Sequence, residues 1–183
     1  MKKYLCLNNQ EYSIKEFKIV PIRFKDRLDI MKWRNEQIYH LRQSHFLTIQ
    51  DQESYFKNVI EPLFIHKQPN QILFSFLKNN KCIGYGGLVH INWLDMNSEI
   101  SFLMDTKLEK EHFQVLWSTF LNLIESVAFD DLKFHKIYTY AYDIRPQLFK
   151  LLNDCEYTNE AVLREHVCIN GIFENVLIHS KFN

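Results

Sequence analysis

The amino-acid sequence predicts a single domain of the mixed α/β class, with strands near both ends of the chain and helices between them. Two observations carry this prediction: apolar residues alternate with polar ones in short runs, and elsewhere they recur at helical spacing. With 183 residues, the chain can bury one substantial core and is too short for two ordinary ones. We therefore expect one domain over residues 1–183.

A β-hairpin at the centre of the chain is predicted by two apolar runs, residues 83–91 and 99–104, that flank the polar turn at residues 92–97. Three of the chain's four glycines lie in the first run. They are Gly84, Gly86 and Gly87. Glycine weakens a strand unless a bulge or a close approach to another backbone or to a ligand requires it, so this hairpin is expected to form a site.

Upstream of the hairpin, strand-like runs are predicted at residues 4–7 and 18–23, and a short helix at residues 26–36. Thr48, followed three residues later by Asp51, is typical of a capping box, which predicts a second helix that begins near residue 50. Pro62 lies inside the apolar pattern of this helix, so the helix either ends near residue 60 or bends there.

A strand over residues 72–77 leads into the hairpin, and the long helix after the hairpin is predicted by one apolar stripe. The stripe consists of Phe113, Leu116, Trp117, Phe120, Leu121, Ile124, Val127 and Ala128. Beyond it, residues 137–142 alternate as a strand does, and residues 145–154 form a helix with Pro146 in its first turn. Asn170-Gly171 then joins two final strands in a hairpin.

Net charge and residue usage limit the class of partner. The 22 Lys and Arg residues balance the 22 Asp and Glu residues, so no net field attracts nucleic acid or an anionic membrane. Since no run of about 18 apolar residues is present, we expect a cytoplasmic protein without a nucleic-acid or membrane partner.

The eight histidines include no H-E-x-x-H and no compact Cys/His cluster, so no metal site is expected. The four cysteines stand singly in apolar surroundings, which predicts buried, reduced thiols at Cys6, Cys82, Cys155 and Cys168.

Three segments of the sequence resemble one family. The strand ending in IGYGGL, the turn after it and the strand SEISFLM are similar to the central strands of the GNAT N-acyltransferases. KDRLDIMKWRNEQ resembles the first helix of the branch that holds the ribosomal-protein and amino-sugar acetyltransferases, which often ends in Trp-Arg-Asn. Residues 132–180 resemble the last strand-helix-strand-strand portion of that branch, so the resemblance extends across most of the chain.

This resemblance implies a GNAT-like fold, with a mostly antiparallel central sheet that splays at its middle strands and about four helices. It also implies an N-acetyltransferase that uses acetyl-CoA as its co-substrate and no metal. The favoured acceptor is a small amine, and among amines a nucleotide-linked amino sugar. Two alternatives stay open: a protein N-terminal acetyltransferase of the ribosomal-protein type, and a non-catalytic GNAT-fold domain that lost donor binding. A homodimer is one option for its assembly.

Acyl transfer to an amine needs a base for the amine proton and an acid for the departing thiolate. Glu99 is the predicted base, because a strand carboxylate that lines a mostly apolar cleft has its proton affinity raised by desolvation. The resemblance also places an acidic residue at this position, and the alternative is a strand carboxylate paired with a surface Lys or Arg. Tyr142, at the end of an aromatic strand, is the predicted acid, and its alternative is a half-buried position on the sheet surface.

In the family, pantetheine binds by strand-like hydrogen bonds to the backbone just after the acidic position. The resemblance assigns this role to Ile100, Ser101, Phe102 and Leu103. The donor's pyrophosphate rests in the family on a glycine-containing loop at the start of the long helix, whereas residues 105–112 of this chain contain no glycine. Lys107 and Lys110 are predicted to replace part of that interaction as point charges, and a solvated first turn is the alternative.

The predicted acceptor pocket combines the end of the first helix with the edge of the hairpin. Arg34 and Asn35 are suited to reading phosphate or hydroxyl groups, and Trp33 and Trp93 to stacking on a sugar or a base. His90 completes the set. For both tryptophans, packing in the core or in the hairpin is the alternative.

Overall fold

A computed structural model describes residues 2–183 and contains one eight-stranded sheet. Its strands are β1 Tyr12–Ile14, β2 Phe17–Pro21, β3 Ile72–Lys78, β4 Lys81–Asn92, β5 Asn97–Met104, β6 Lys136–Tyr142, β7 Thr158–Ile169 and β8 Ile172–Phe182. They lie in the order β1-β2-β3-β4-β5-β6-β8-β7. The predicted α/β class with a mostly antiparallel sheet is confirmed.

Side-chain caps precede two of the helices. The helices are α1 Arg27–Glu36, α2 Ile49–Tyr55, α3 Glu61–Leu63, α4 Thr106–Glu125 and α5 Pro146–Asp154. The predicted capping box is present at the start of α2, where the Thr48 hydroxyl accepts from the Asp51 amide and the Asp51 carboxylate accepts from the Thr48 amide. A π-helical turn, Phe56–Ile60, follows α2 and leads into α3. Pro62 lies in the first turn of α3, where a missing N–H costs least.

The pairing of β5 with β6 opens the sheet. It is the one parallel pairing among the strands of the described chain, and it joins Asn97–Glu99 to Lys136–Tyr138 over three residue pairs. Beyond Glu99 and Tyr138 the two strands diverge. Because α4 connects them as a crossover, β5 and β6 can run parallel and still separate at their carboxyl ends. The predicted splay at the middle of the sheet is thereby confirmed.

Close packing between neighbouring strands explains the glycines of β4. A Cβ atom at Gly86 would lie 2.2 Å from the Ser101 carbonyl oxygen on β5, and one at Gly84 would lie 2.8 Å from the Leu103 carbonyl oxygen. These distances are shorter than real Cβ contacts. The sequence-based expectation that a second backbone approaches this run is therefore correct for both positions.

The two faces of the sheet carry different helices. On one face the Phe102 ring of β5 stacks on Phe120 of α4, with ring centroids 3.9 Å apart. On the other face the Tyr85 hydroxyl of β4 accepts a hydrogen bond from Arg34 of α1, at 2.6 Å. We call these the α4 face and the α1 face. Successive side chains along β5 therefore point alternately to the α4 face and to the α1 face.

Two expectations about the N-terminal run and the thiols are wrong. Residues 4–7 form no strand; instead the buried Tyr4 hydroxyl donates to the Leu73 carbonyl oxygen at 2.9 Å and accepts from the Leu73 amide at 3.0 Å. Of the four free thiols, Cys82 is buried whereas Cys168 is exposed on β7, a strand with solvent on much of its surface. None of the helices between residues 2 and 183 combines the length and the apolar character needed to cross a membrane.

Candidate active site

The divergence of β5 and β6 creates a cleft of about 570 Å³. This volume is in the range of small-molecule sites in proteins. Its walls come from both faces of the sheet. Arg34, Tyr85 and Glu99 line it on the α1 face, and Phe102 and Trp117 line it on the α4 face.

Glu99 is the last residue of β5 that pairs with β6, and its side chain enters the cleft. The residue is 4 % exposed. One carboxylate oxygen, Oε1, accepts from the Arg42 guanidinium, and the other, Oε2, lies 2.8 Å from His90 Nδ1. The Arg42 guanidinium also lies over the Tyr140 ring, 4.6 Å from its centroid. Both carboxylate oxygens are therefore engaged by side chains of the protein itself.

A bulge in β4 brings His90 to Glu99. The pairing of β4 with β5 is regular up to Val89, which lies opposite Glu99, and then shifts in register before Asn92. Within this shift His90 has a φ of +50°, the left-handed conformation that non-glycine residues adopt rarely. The His90 ring is 61 % exposed at the wall of the cleft.

Tyr142 and Tyr140 line the cleft from β6, opposite Glu99. Tyr142 is half-buried, and burial raises the pKa of its hydroxyl, with Tyr140 adding to the effect and Arg42 opposing it. A raised pKa keeps the Tyr142 hydroxyl protonated at neutral pH. The hydroxyl is therefore neutral at the wall of the cleft.

Of the five residues predicted to bind the acceptor, Arg34 and His90 line the cleft. The Asn35 amide group bonds the Leu47 backbone at 2.8 and 2.9 Å, and so fixes the loop after α1. Trp33 is buried and donates to the Asp105 carboxylate at 3.2 Å. The Trp93 indole donates to the Pro69 carbonyl oxygen at 2.8 Å. The partners of these three residues lie outside the cleft. For Trp33 and Trp93 this agrees with the alternative that the tryptophans pack in the core or in the hairpin.

The start of α4 is capped by a carboxylate. Asp105 Oδ1 accepts from the amides of Lys107 and Leu108, at 2.9 and 3.3 Å. These are two of the free N–H groups that a helix terminus offers to an anion. The side chains of Lys107 and Lys110 are exposed, and neither lines the cleft.

Arg145, which the sequence did not single out, spans the α4 face of the cleft from the start of α5. It is 7 % exposed, and its guanidinium donates to Glu109 of α4 and lies 3.4 Å from His40 Nδ1. Burial, together with the charge of Arg145, lowers the pKa of His40 to about 3, so His40 is neutral and accepts from the guanidinium. Within the described chain Arg145 Nε has no hydrogen-bond partner. The side chain therefore has one buried donor that no group of residues 2–183 satisfies.

Comparison with known proteins identifies the family. A family model described as an acetyltransferase (GNAT) domain matches residues 19–174. The chain belongs to the GNAT acetyltransferase family. No curated protein matches the chain in sequence.

Solved structures of GNAT enzymes share the fold. The spermidine N-acetyltransferase from Vibrio cholerae in complex with CoA and spermine superposes with a TM-score of 0.81 at 18 % identity, over 92 % of this chain and 96 % of that chain. A dodecameric structure of spermidine N-acetyltransferase from Vibrio cholerae in an intermediate state gives a TM-score of 0.76 at 19 % identity, over 92 % and 95 % of the two chains. At this level of identity the similarity establishes the fold.

Family membership confirms the predicted activity class, an N-acyltransferase that takes acetyl-CoA as its co-substrate. The structure offers the donor an open strand edge, because within residues 2–183 no strand pairs with β5 on its β6 side after Glu99. Ile100, Ser101 and Phe102 of that edge line the cleft, whereas the Leu103 side chain is buried outside it. Among residues 2–183, no group of three side chains suited to a metal ion is found.

Negative charge marks the start of α4, where the resemblance leads us to expect the donor's phosphates. Asp105 places a negative charge on the first amides of α4, and Glu109 adds a second one in the same turn. Two arginines that the sequence did not mark, Arg42 and Arg145, lie at the cleft instead. The one local signal for Arg145 is its position between the aromatic strand and Pro146, at the start of a helix.

Proposed function

We propose that this GNAT enzyme transfers an acetyl group from acetyl-CoA to the primary amine of a small anionic molecule, a nucleotide-linked amino sugar. The observation that carries the proposal is the charge of the cleft. Within residues 2–183, its lining contains three arginines and one carboxylate. They are Arg34, Arg42, Arg145 and Glu99. Arg42 is paired with Glu99, and Arg145 is paired with Glu109 outside the lining. Among residues 2–183, Arg34 is therefore the lining cation without a carboxylate partner, and it suits a phosphate group.

The aromatic residues of the α1 face suit the rest of such an acceptor. Tyr55 and Tyr85 lie beside Arg34, and Tyr140 and Tyr142 lie opposite them on β6. Tyrosine rings present an apolar face with a polar hydroxyl at its edge, a combination suited to sugar rings and bases. Arg34 is held in place between the Tyr85 hydroxyl and Gln43, at 2.6 and 2.9 Å, so its guanidinium is preorganised.

Polyamines are the second candidate acceptor, because the Vibrio cholerae enzyme of the same fold was solved with spermine. A polyamine carries several ammonium groups, and each needs a carboxylate or another acceptor when it leaves water. The cleft of this chain supplies Glu99 alone among its carboxylates, and Arg42 occupies it. The charge of the lining thus favours the anionic acceptor over the cationic one.

Arg34→Ala is expected to raise the KM for UDP- or dTDP-linked amino sugars by about 10- to 100-fold, the value of one charge-assisted hydrogen bond of about 1.5–3 kcal/mol. The kcat should change less, because a phosphate contact remote from the reacting amine contributes uniform binding. Steady-state kinetics on a panel of sugar nucleotides, spermidine and short peptides measures this. Tyr85→Phe is the matched control, since it removes a partner of Arg34 and keeps the cation.

Two results on the panel would contradict this acceptor. Turnover of spermidine with no sugar nucleotide accepted would assign the polyamine. Robust acetylation of peptides alone would assign the protein N-terminal acetyltransferase.

Changing Lys107 and Lys110 together to Ala is expected to raise the Kd for acetyl-CoA by about fivefold. The reason is that an exposed charge pair contributes about 0.5 kcal/mol, and both side chains are solvated. Calorimetry at low and at high salt measures the change in the Kd for acetyl-CoA and shows how far salt screens the contribution of the two lysines. An unchanged Kd would assign the donor's phosphates to backbone amides or to Arg145. No binding of the unmodified protein at millimolar acetyl-CoA would favour the non-catalytic alternative.

A further inference from the structure

We infer that His90, oriented by Glu99, is the group that takes the proton from the acceptor amine. This assigns the role of base to the histidine and leaves the carboxylate as its positioning residue. The inference rests on the proposed function to the extent that the acceptor is an amine, and it does not depend on which amine.

The first support is the backbone of β4. Val89 lies opposite Glu99, so its side chain shares the α1 face with the carboxylate, and regular alternation would direct His90 to the other face. The bulge after Val89 and the φ of +50° at His90 reverse this and direct the ring to Glu99. A left-handed non-glycine residue costs about 1–2 kcal/mol, and bulges commonly redirect a side chain next to an active site. The fold thus maintains a strained backbone at the position that brings the two groups together.

The second support is the orientation of the ring. His90 Nδ1 lies 2.8 Å from Glu99 Oε2, and an acceptor-only carboxylate requires a proton on Nδ1. In the neutral ring the lone pair is then on Nε2, the nitrogen not bonded to Glu99, and the side chain is largely exposed at the cleft wall. This is the arrangement in which a carboxylate orients an imidazole as base and stabilises the imidazolium that forms.

The third support is that Glu99 is buried and surrounded by its partners. Oε1 accepts from Arg42 and Oε2 is engaged by His90, and the residue is 4 % exposed. Each oxygen retains a second lone pair, but the burial of the residue leaves an amine a route to it only by displacing side chains around it. The exposed His90 ring needs no such displacement.

In the resulting step the amine nitrogen attacks the acetyl carbonyl carbon, the N–C bond forms and the C–S bond breaks. The proton of the attacking nitrogen passes to His90 Nε2. The thiolate of coenzyme A takes the proton of Tyr142, which then regains one from solvent, while His90 returns its proton to solvent. The products are the amide and free coenzyme A, and no further reactant is needed.

His90→Asn tests the role of the imidazole. Asn tolerates the left-handed conformation and its amide can still donate to Glu99, so the backbone and the contact are kept without a base. We expect kcat to fall by about 10²-fold and the acidic limb of the kcat/KM profile to disappear, with the Kd for acetyl-CoA unchanged. The charged and titratable groups around the His90–Glu99 pair are Arg42 after α1, and Tyr138 and Tyr140 of β6. Activity within a few-fold of wild type, with the same pH profile, would overturn the inference.

Chemical rescue separates catalysis from structure. Glycine also adopts positive φ without strain, so His90→Gly leaves a vacant place beside Glu99. Added imidazole should restore part of the lost turnover of His90→Gly and none of that of His90→Asn. Equal responses of the two variants would contradict a base at this position.

A readout without an acceptor keeps the test independent of the proposed function. Nitrogen NMR of the free protein should show His90 as the Nδ1–H tautomer and should show a change of tautomer in Glu99→Gln. A proton on Nε2 in the wild-type protein would overturn the inference, whichever amine the enzyme accepts. Failure of every acceptor in the panel, with the Nδ1–H tautomer present, would instead contradict the proposed function alone.

Discussion

Replacing Glu99 by Gln lowers kcat by about 10²-fold and leaves the affinity for acetyl-CoA unchanged. Gln has the shape of Glu and can still accept from Arg42, so the buried contact survives. Its amide NH₂, however, donates to His90 Nδ1 and moves the ring proton to Nε2, so that Nε2 has no lone pair for the amine proton. Steady-state kinetics across the neutral pH range, with calorimetry for the donor, measures both effects.

Glu53→Gln is the matched control for this variant. Glu53 on α2 is also paired with an arginine, Arg27, at 2.8 Å, but it lies on the surface outside the cleft. Its replacement should change neither kcat nor the pH profile. Should Glu99→Gln turn over normally, or should it unfold in a thermal melt, Glu99 is a member of a structural ion pair and has no part in proton transfer.

Gly86→Ala destabilises the fold by about 3 kcal/mol, which corresponds to a fall in Tm of about 6–12 °C for a chain of this size. The added Cβ would lie 2.2 Å from the Ser101 carbonyl oxygen and 2.9 Å from the Phe120 ring. The first of these atoms is backbone of a central strand, so relief requires β4 and β5 to separate at the wall of the cleft. Chemical and thermal denaturation measure the loss.

Gly171→Ala provides the comparison. Gly171 lies in the turn between β7 and β8 with a φ of +82°, and a Cβ there would meet no atom within 4 Å. Its replacement therefore carries the conformational cost alone, about 1 kcal/mol. Equal destabilisation by the two variants would show that β5 gives way to the Cβ at little cost, contrary to the packing argument.

The sequence predicts those parts of the fold that depend on local patterns. The stripe from Phe113 to Ala128 specifies α4, the pair Thr48 and Asp51 specifies the start of α2, and Asn170-Gly171 specifies the last hairpin. Each of these signals lies within a few residues of the element that it determines. The glycines of β4 are similarly informative, because only a close neighbouring backbone explains so many in one strand.

The sequence does not predict contacts between residues that are distant in the chain. Tyr4 reads as part of a strand, yet its hydroxyl is held by Leu73, 69 residues away. The residues next to Arg145 give little indication that Glu109 is its partner. Those next to Arg42 give no indication that it pairs with Glu99, 57 residues away. From the sequence, Trp33 fits either a surface on which a substrate stacks or the core. Its hydrogen-bond partner in the core, the Asp105 carboxylate, lies 72 residues away. The residues of the cleft were therefore only partly predictable.

The three residue pairs between β5 and β6 have a consequence for the order of folding. Residues 12–104 supply β1 to β5, and residues 136–182 supply β6 to β8, so each half of the sheet is continuous in sequence. The hairpin pairings of β3 with β4, β4 with β5 and β7 with β8 close shorter chain loops than the pairing of β5 with β6 across α4, so these hairpins form at a lower entropic cost than the seam between the halves. Glu99 belongs to the first half and Tyr142 to the second. An intermediate with one half folded would hold half of the cleft, so the capacity for acetyl transfer requires the contacts of this seam.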